Sequence, residues 1–175
     1  MSNTTEKSYK ELLNNITTFV FDVDGVLTKN SLLVSSQGEL LREVHAKDSY
    51  AIEKAIGEGY NVCFMSHSEI RGLNMQLKII GVRDVYLKVS DKAEQLDEFL
   101  DLYKINRENV LYMGDDIPDS YPMHMVGLPC CPQDAVPEIK AISKYVSHQY
   151  GGKGCVRDVI EQVLKVQGKW HQNFS

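Results

Sequence analysis

The chain has 175 residues, 43% of them hydrophobic and 25% charged, with a formal net charge of -5. That is enough sequence for one packed core, and its acidic balance argues against the basic face of a nucleic-acid binder, though not against a local basic pocket for a phosphorylated substrate. No apolar stretch approaches the ~20 residues that span a bilayer, the polar first ten residues lack the apolar core of a signal peptide, and Cys63, Cys130, Cys131 and Cys155 form no C-x-x-C pair, so a reduced, cytoplasmic protein without a zinc site is expected.

In chain order, the pattern predicts a helix over about residues 6–14 and a strand over 17–21. Leu32-Leu33-Val34 and residues 39–44 read as two short strands around the turn Ser35-Ser36-Gln37-Gly38. Asp48 opens a helix with Ala51, Ile52, Ala55 and Ile56 on its apolar face, ended by Gly57 and Gly59. The rest alternates: strand 60–65, helix 69–80, strand 84–87, helix 91–103, strand 110–113, short helix 119–125, strand 127–131, helix 136–142, strand 145–146 and an amphipathic helix over 156–166. Such alternation predicts an α/β fold, a three-layer Rossmann-like and mostly parallel sheet with helices on both faces. It forms a single domain over 1–175, with a β-hairpin insertion at about 29–46, a C-terminal helix and tail at about 153–175, and no large cap.

In sheets of this kind ligands bind at the carboxyl ends of the strands, and four polar clusters fall there. Asp22 and Asp24 follow the first strand, Ser66-His67-Ser68 the strand ending at Met65, Lys92 the strand ending at Leu87, and Gly114-Asp115-Asp116-Ile117-Pro118-Asp119 the strand ending at Met113. Each has a plain structural reading: Asp24-Gly25 as a turn, Ser66 as a helix cap, Lys92 as a solvated lysine, Gly-Asp-Asp as another turn. Together they read as a phosphoryl-transfer site. Asp22 and Asp115 offer hard oxygen ligands of the kind that suit Mg2+, while Lys92 and the Ser66 hydroxyl suit phosphate oxygens. Asp22 is then the nucleophile, and Asp24 the acid and base.

Phe21-Asp22-Val23-Asp24-Gly25-Val26-Leu27-Thr28, Ser66, Lys92 and Gly114-Asp115-Asp116-x-x-Asp119 resemble the four motifs of the haloacid dehalogenase-like phosphatases, over about residues 16–170. The resemblance implies a metal held by Asp22, the backbone carbonyl of Asp24, and Asp115, with Asp116 and Asp119 as supporting acids. More narrowly, Val89-Ser90-Asp91-Lys92, Val126-Gly127-Leu128-Pro129, Gly151-Gly152-Lys153-Gly154-Cys155-Val156-Arg157-Asp158 and Gln167-Gly168-Lys169-Trp170 look like the capless 3-deoxy-D-manno-octulosonate 8-phosphate (KDO 8-phosphate) phosphatases. That group acts in lipopolysaccharide synthesis. Its members are similar in forming tetramers through the hairpin, a neighbouring subunit closing the site.

What the resemblance implies is a Mg2+-dependent phosphatase acting on KDO 8-phosphate, self-associating as a homotetramer, with no nucleic-acid or membrane partner. Ser66, His67, Lys92, Lys153 and Arg157 are the expected substrate contacts; for Lys153 and Arg157 the alternative is that the glycines beside them only make a turn. The second motif departs from the group, which carries Thr-Gly followed by Arg, Gly or Glu. Here Ser66-His67-Ser68 stands instead, and His67 either meets substrate or points to solvent. A phosphatase for a nine-carbon sialic-type sugar 9-phosphate, and a non-catalytic oligomeric relative, are the alternative expectations.

Overall fold

The computed structural model describes residues 8–170. The expected start of the first helix and the end of the tail lie outside the described residues. In chain order the elements are α1 (Tyr9–Leu12), β1 (Thr18–Asp22), β2 (Leu33–Val34), β3 (Leu40–Leu41), α2 (Ala46–Gly57), β4 (Asn61–Met65), α3 (Arg71–Ile79) and β5 (Asp84–Tyr86). There follow α4 (Lys92–Tyr103), β6 (Val110–Met113), α5 (Ser120–His124), β7 (Leu128–Cys131), α6 (Pro137–Ile142), β8 (Tyr145–Val146) and α7 (Cys155–Val166).

Strand residues alternate between two cores, as the period of two requires. Phe19 and Phe21 of β1, Val62 and Phe64 of β4, and Leu111 and Met113 of β6 enter one core with Ile52 of α2, Leu77 of α3 and Val156, Ile160 and Val163 of α7. Val20, Cys63, Met65, Val110 and Tyr112 enter the other, with Leu96 and Phe99 of α4, Met123 of α5 and Ile139 of α6. The central strands are apolar almost throughout because helices cover both faces.

Among the described residues the main sheet runs β5-β4-β1-β6-β7-β8 with every pair parallel. The chain builds outward from β1 through β4 to β5, then returns to place β6 on the other side of β1. The junction of β1 with β6 is therefore a topological switch point, where a crevice opens at the carboxyl edge. Register brings the strand ends level: Asp22 pairs with Met65 and Phe21 with Met113.

The hairpin is shorter than its sequence suggests. Leu33 pairs with Leu41 and Val34 with Leu40, and Arg42 then turns inward. Leu33 and Val34 are 69% and 68% exposed. The third helix starts at Arg71 rather than at 69: Ile70 is buried as part of the loop, and Glu69 is drawn into ion pairs with Arg71 and Lys88. All four cysteines are buried and free. No helix among the described residues is long and apolar enough to cross a membrane.

Candidate active site

The segment after β1 is a turn and a site at once. Val26 and Thr28 donate their N–H groups to Val23 O, and Gly25 donates to Thr28 O. Gly25 has φ +90°, and a Cβ there would stand 2.0 Å from Asp115 Oδ2 and 2.6 Å from Asn30 Oδ1. A glycine is thus needed for its backbone conformation and for the close approach of the acidic loop after β6. Gly151 serves the same turn from behind, since a Cβ there would lie 2.0 Å from Gly25 O. The glycine-rich loop presses on this backbone.

Lys92 is delivered by its helix. Asp91 caps α4 by accepting from the Ala93 and Glu94 N–H groups, so the first helical residue points across the strand ends. The Lys92 ammonium lies 2.7 Å from Asp22 Oδ1 and donates to Asp119 Oδ1 at 2.8 Å. Asp119 Oδ1 also accepts from the Tyr112 hydroxyl at 2.8 Å, and its Oδ2 accepts from the Asp115 N–H at 3.1 Å. With three donors on it, Asp119 is the anchor of Lys92 and of the Asp115 backbone. Asp116 faces out and caps the short turn that follows by accepting from the Ile117 N–H.

Ser66 is buried and is not a helix cap: its Oγ accepts from the Ser68 N–H at 3.1 Å within the loop. The loops after β4 and β5 are knitted by Ser66 N–H to Tyr86 O and Val89 N–H to Ser66 O. His67 Nδ1 hydrogen-bonds Val89 O, which fixes the ring beside the cavity at the strand ends. Ser68 Oγ donates to Asp24 Oδ2 at 2.9 Å. Asp24 is further gripped by the hairpin, with Arg42 Nε donating to Oδ1 at 2.6 Å and Nη2 to Oδ2 at 3.2 Å.

These contacts set the electrostatics. Burial, reinforced by the charge of Asp119, pushes the Asp22 carboxyl well above its usual range against the pull of Lys92. Burial and Asp119 likewise raise Asp115 to about 6. Burial opposes the Lys92 charge, but Asp22 and Asp119 more than offset it and hold the ammonium protonated. Asp24 is the reverse case: burial works against its charge, yet the bonds from Arg42 and Ser68 hold its carboxyl below the usual value.

Carboxylate oxygens of Asp22, Asp115 and Asp119 lie within 4.8 Å of one another, with Lys92 as the ammonium among them. Asp115 Oδ1 is buried without a hydrogen-bond partner among the described residues. An excess of clustered carboxylate charge with an orphaned oxygen fits a hard divalent cation, for which Asp22 and Asp115 are the candidate ligands because Asp119 is already engaged.

The structure thus gathers Asp22, Asp24, Ser66, His67, Lys92, Asp115, Asp116 and Asp119 around one cavity of about 190 Å³, with Asn30 and Ser68. It places Lys153 and Arg157 elsewhere, in a separate cleft. Arg157 lies over the Trp170 and Tyr50 rings and pairs with Glu161 at 2.9 Å. Sequence reasoning missed Arg42, Tyr112 and Asn30. Arg42 left no mark in a strand-like hairpin segment, while Tyr112 read only as a core residue of β6.

Three comparisons bear on this geometry. The family described as haloacid dehalogenase-like hydrolase matches residues 74–157. The 3-deoxy-D-manno-octulosonate 8-phosphate phosphatase KdsC of Salmonella typhi is 32% identical over 155 residues, covering 89% of this chain and 82% of that protein. The chain belongs to the haloacid dehalogenase-like hydrolases. A crystal structure of the KDO 8-phosphate phosphatase from Yersinia pestis superposes with a TM-score of 0.90 at 30% identity, over 94% of this chain and 89% of that one. A cobalt-bound deoxy-D-mannose-octulosonate 8-phosphate phosphatase from Haemophilus influenzae superposes with a TM-score of 0.86 at 26% identity, over 91% and 93%. As a haloacid dehalogenase-like phosphatase the chain is a phosphomonoester hydrolase.

Proposed function

We propose that this enzyme hydrolyses KDO 8-phosphate to KDO and inorganic phosphate through an aspartyl-phosphate on Asp22, with Mg2+ as its metal. The observation that carries the reading is the Lys92 ammonium bridging Asp22 and Asp119 beside the orphaned oxygen of Asp115. The substrate is taken from the relatives, which are KDO 8-phosphate phosphatases.

Asp22 and Asp115 would hold the magnesium, whose positive charge would let a carboxylate meet an anionic phosphate. An Asp22 oxygen attacks phosphorus, the P–O bond to the sugar breaks, and the leaving alkoxide takes a proton from Asp24. Lys92 and the Ser66 hydroxyl hold the phosphoryl oxygens as their charge shifts. Asp24 then takes a proton from water as that water displaces the Asp22 carboxylate from phosphorus. Lys92 is kept aimed by Asp119, and Asp119 by Tyr112.

The exposed apolar residues of the hairpin, Leu33, Val34, Leu40 and Leu41, support self-association into a homotetramer. The four free cysteines support a cytoplasmic setting.

The test is phosphate release from KDO 8-phosphate and from a nine-carbon sialic-type sugar 9-phosphate, with and without magnesium. Turnover is expected with the first substrate, dependent on magnesium and abolished in a folded Asp22→Asn variant. Substantial turnover by that variant rules out the aspartyl-phosphate route; preference for the nine-carbon substrate rules out the KDO assignment alone.

A further inference from the structure

The first turns of α2 and α7 open side by side into a cleft of about 470 Å³ that shares no lining residue with the catalytic cavity. Four permanent cations line it, Lys47, Lys153, Arg157 and Lys165, against two carboxylates, Asp158 and Glu161. This concentration of positive charge stands out on a chain of net charge -5. Glu161 is shared by Arg157 at 2.9 Å and Lys165 at 2.6 Å, and Asp158 is taken up by the Tyr145 and Ser147 hydroxyls. Lys47 and Lys153, both exposed, have no carboxylate within ion-pair distance among the described residues.

Two further features point inward. The N-caps of both helices, His45 and Gly154, provide no side-chain cap, so the positive ends of two 12-residue helices face the same space. The α7 end is met in part by Asp48, whose Oδ1 accepts from the Arg157 N–H at 2.8 Å. His45 Nδ1 is buried and has no hydrogen-bond partner among the described residues. It lies 3.8 Å from where a Cβ on Gly154 would stand, an ordinary van der Waals distance, so the ring packs beside the start of α7.

We propose that this cleft is a second anion site, independent of the catalytic one, for the phosphate or carboxylate group of a metabolite-sized molecule. Lys47 and Lys153 supply the charge, His45 a ring hydrogen bond, and the paired Arg157 a planar wall held by Trp170. Elsewhere Lys29 pairs with Glu43 and Lys54 with Glu58; in this cleft the cations outnumber the carboxylates.

The experiment follows the histidine ring signals of the nitrogen-15 histidine-labelled full chain, with divalent metal chelated, at fixed pH and ionic strength. His67, which lines the catalytic cavity, reports any anion bound there, so the two sites are read apart. One arm titrates inorganic phosphate, the other pyruvate. Saturable shifts of His45 and His148, with His124 on α5 unmoved, are expected from at least one probe; phosphate alone assigns a phosphate ligand, pyruvate alone a carboxylate. The Lys47→Gln/Lys153→Gln double variant, altered only at exposed side chains, should weaken the response about tenfold. Glu161→Gln, which frees Arg157 and Lys165, should strengthen it. Absence of saturation by both probes, equal movement of His124, or an undiminished response in the double variant overturns the proposal.

Discussion

Arg42 and Asp24 form a two-point ion pair that joins the hairpin to the catalytic turn, with the arginine side chain only 8% exposed. Ser68 adds a third donor from the loop after β4. The second aspartate of the motif is thus oriented by two segments far from it in sequence. Replacing Arg42 by Ala should lower kcat about 100-fold, the scale of a misplaced acid–base group, with KM changed far less. Arg42→Lys keeps the charge without the fork and should recover part of the loss. Unchanged turnover in Arg42→Ala would show that Asp24 works without the hairpin.

Metal binding should show in stability as well as in rate. Magnesium that binds only the folded chain adds about 2.7 kcal/mol at a hundredfold excess over Kd, read as a rise in Tm. Asp115→Asn should remove most of that rise. The metal-free Asp115 carboxyl is raised to about 6, so protons compete with the metal increasingly as pH falls below that value. Calorimetric magnesium affinity should therefore be steady at pH 8 and fall between pH 6.5 and 5. An equal affinity at both ends would exclude Asp115 as a ligand.

The periodic elements were legible in the sequence because each rests on local pattern. β1, β4 and β6 are apolar runs of strand length, and their common direction follows from the helices between them. Asp22, Ser66, Lys92 and Asp115 were legible because strand ends in a parallel sheet converge. Partners chosen by tertiary packing were not. The bond between His67 and Val89 O spans 22 positions and that between Arg42 and Asp24 spans 18, and neither carries a periodic signature. The cleft holding Lys153 and Arg157 was hidden for the same reason: its other wall comes from Lys47 on α2.

The hairpin offers a separate test of assembly. Leu33 and Leu41 are register partners, 69% and 51% exposed, on a ribbon that has two strands among the described residues. Isolated hairpins are marginal in water, and exposed leucines on one invite burial against another copy. A Leu33→Lys/Leu41→Lys variant should sediment as a smaller species than the parent. Because Arg42 follows this ribbon directly, the variant should also lose turnover while keeping the thermal rise given by magnesium. A parent chain that sediments as a monomer would refute the proposed assembly.

Asp48 makes the pH dependence of folding testable away from the metal ligands. It sits wholly buried in α2, its Oδ1 accepting from the Arg157 N–H while Oδ2 has no hydrogen-bond partner among the described residues. Burial raises its carboxyl from 3.8 to about 6, although the Arg157 N–H bond and the charges of His45 and Arg157 draw it back. A carboxyl raised in the folded state favours folding while it is protonated. Its contribution is complete below the unfolded value near 3.9 and is lost as pH rises through about 6, on the order of 3 kcal/mol in total and roughly 1 kcal/mol of it between pH 5 and 8. Asp48→Asn keeps an acceptor for the α7 N-terminus and removes the titration. In urea unfolding without divalent metal, the parent should lose about 1 kcal/mol more than the variant between pH 5 and pH 8. Parallel pH profiles for the two proteins would mean that the Asp48 carboxylate is solvated in the folded chain.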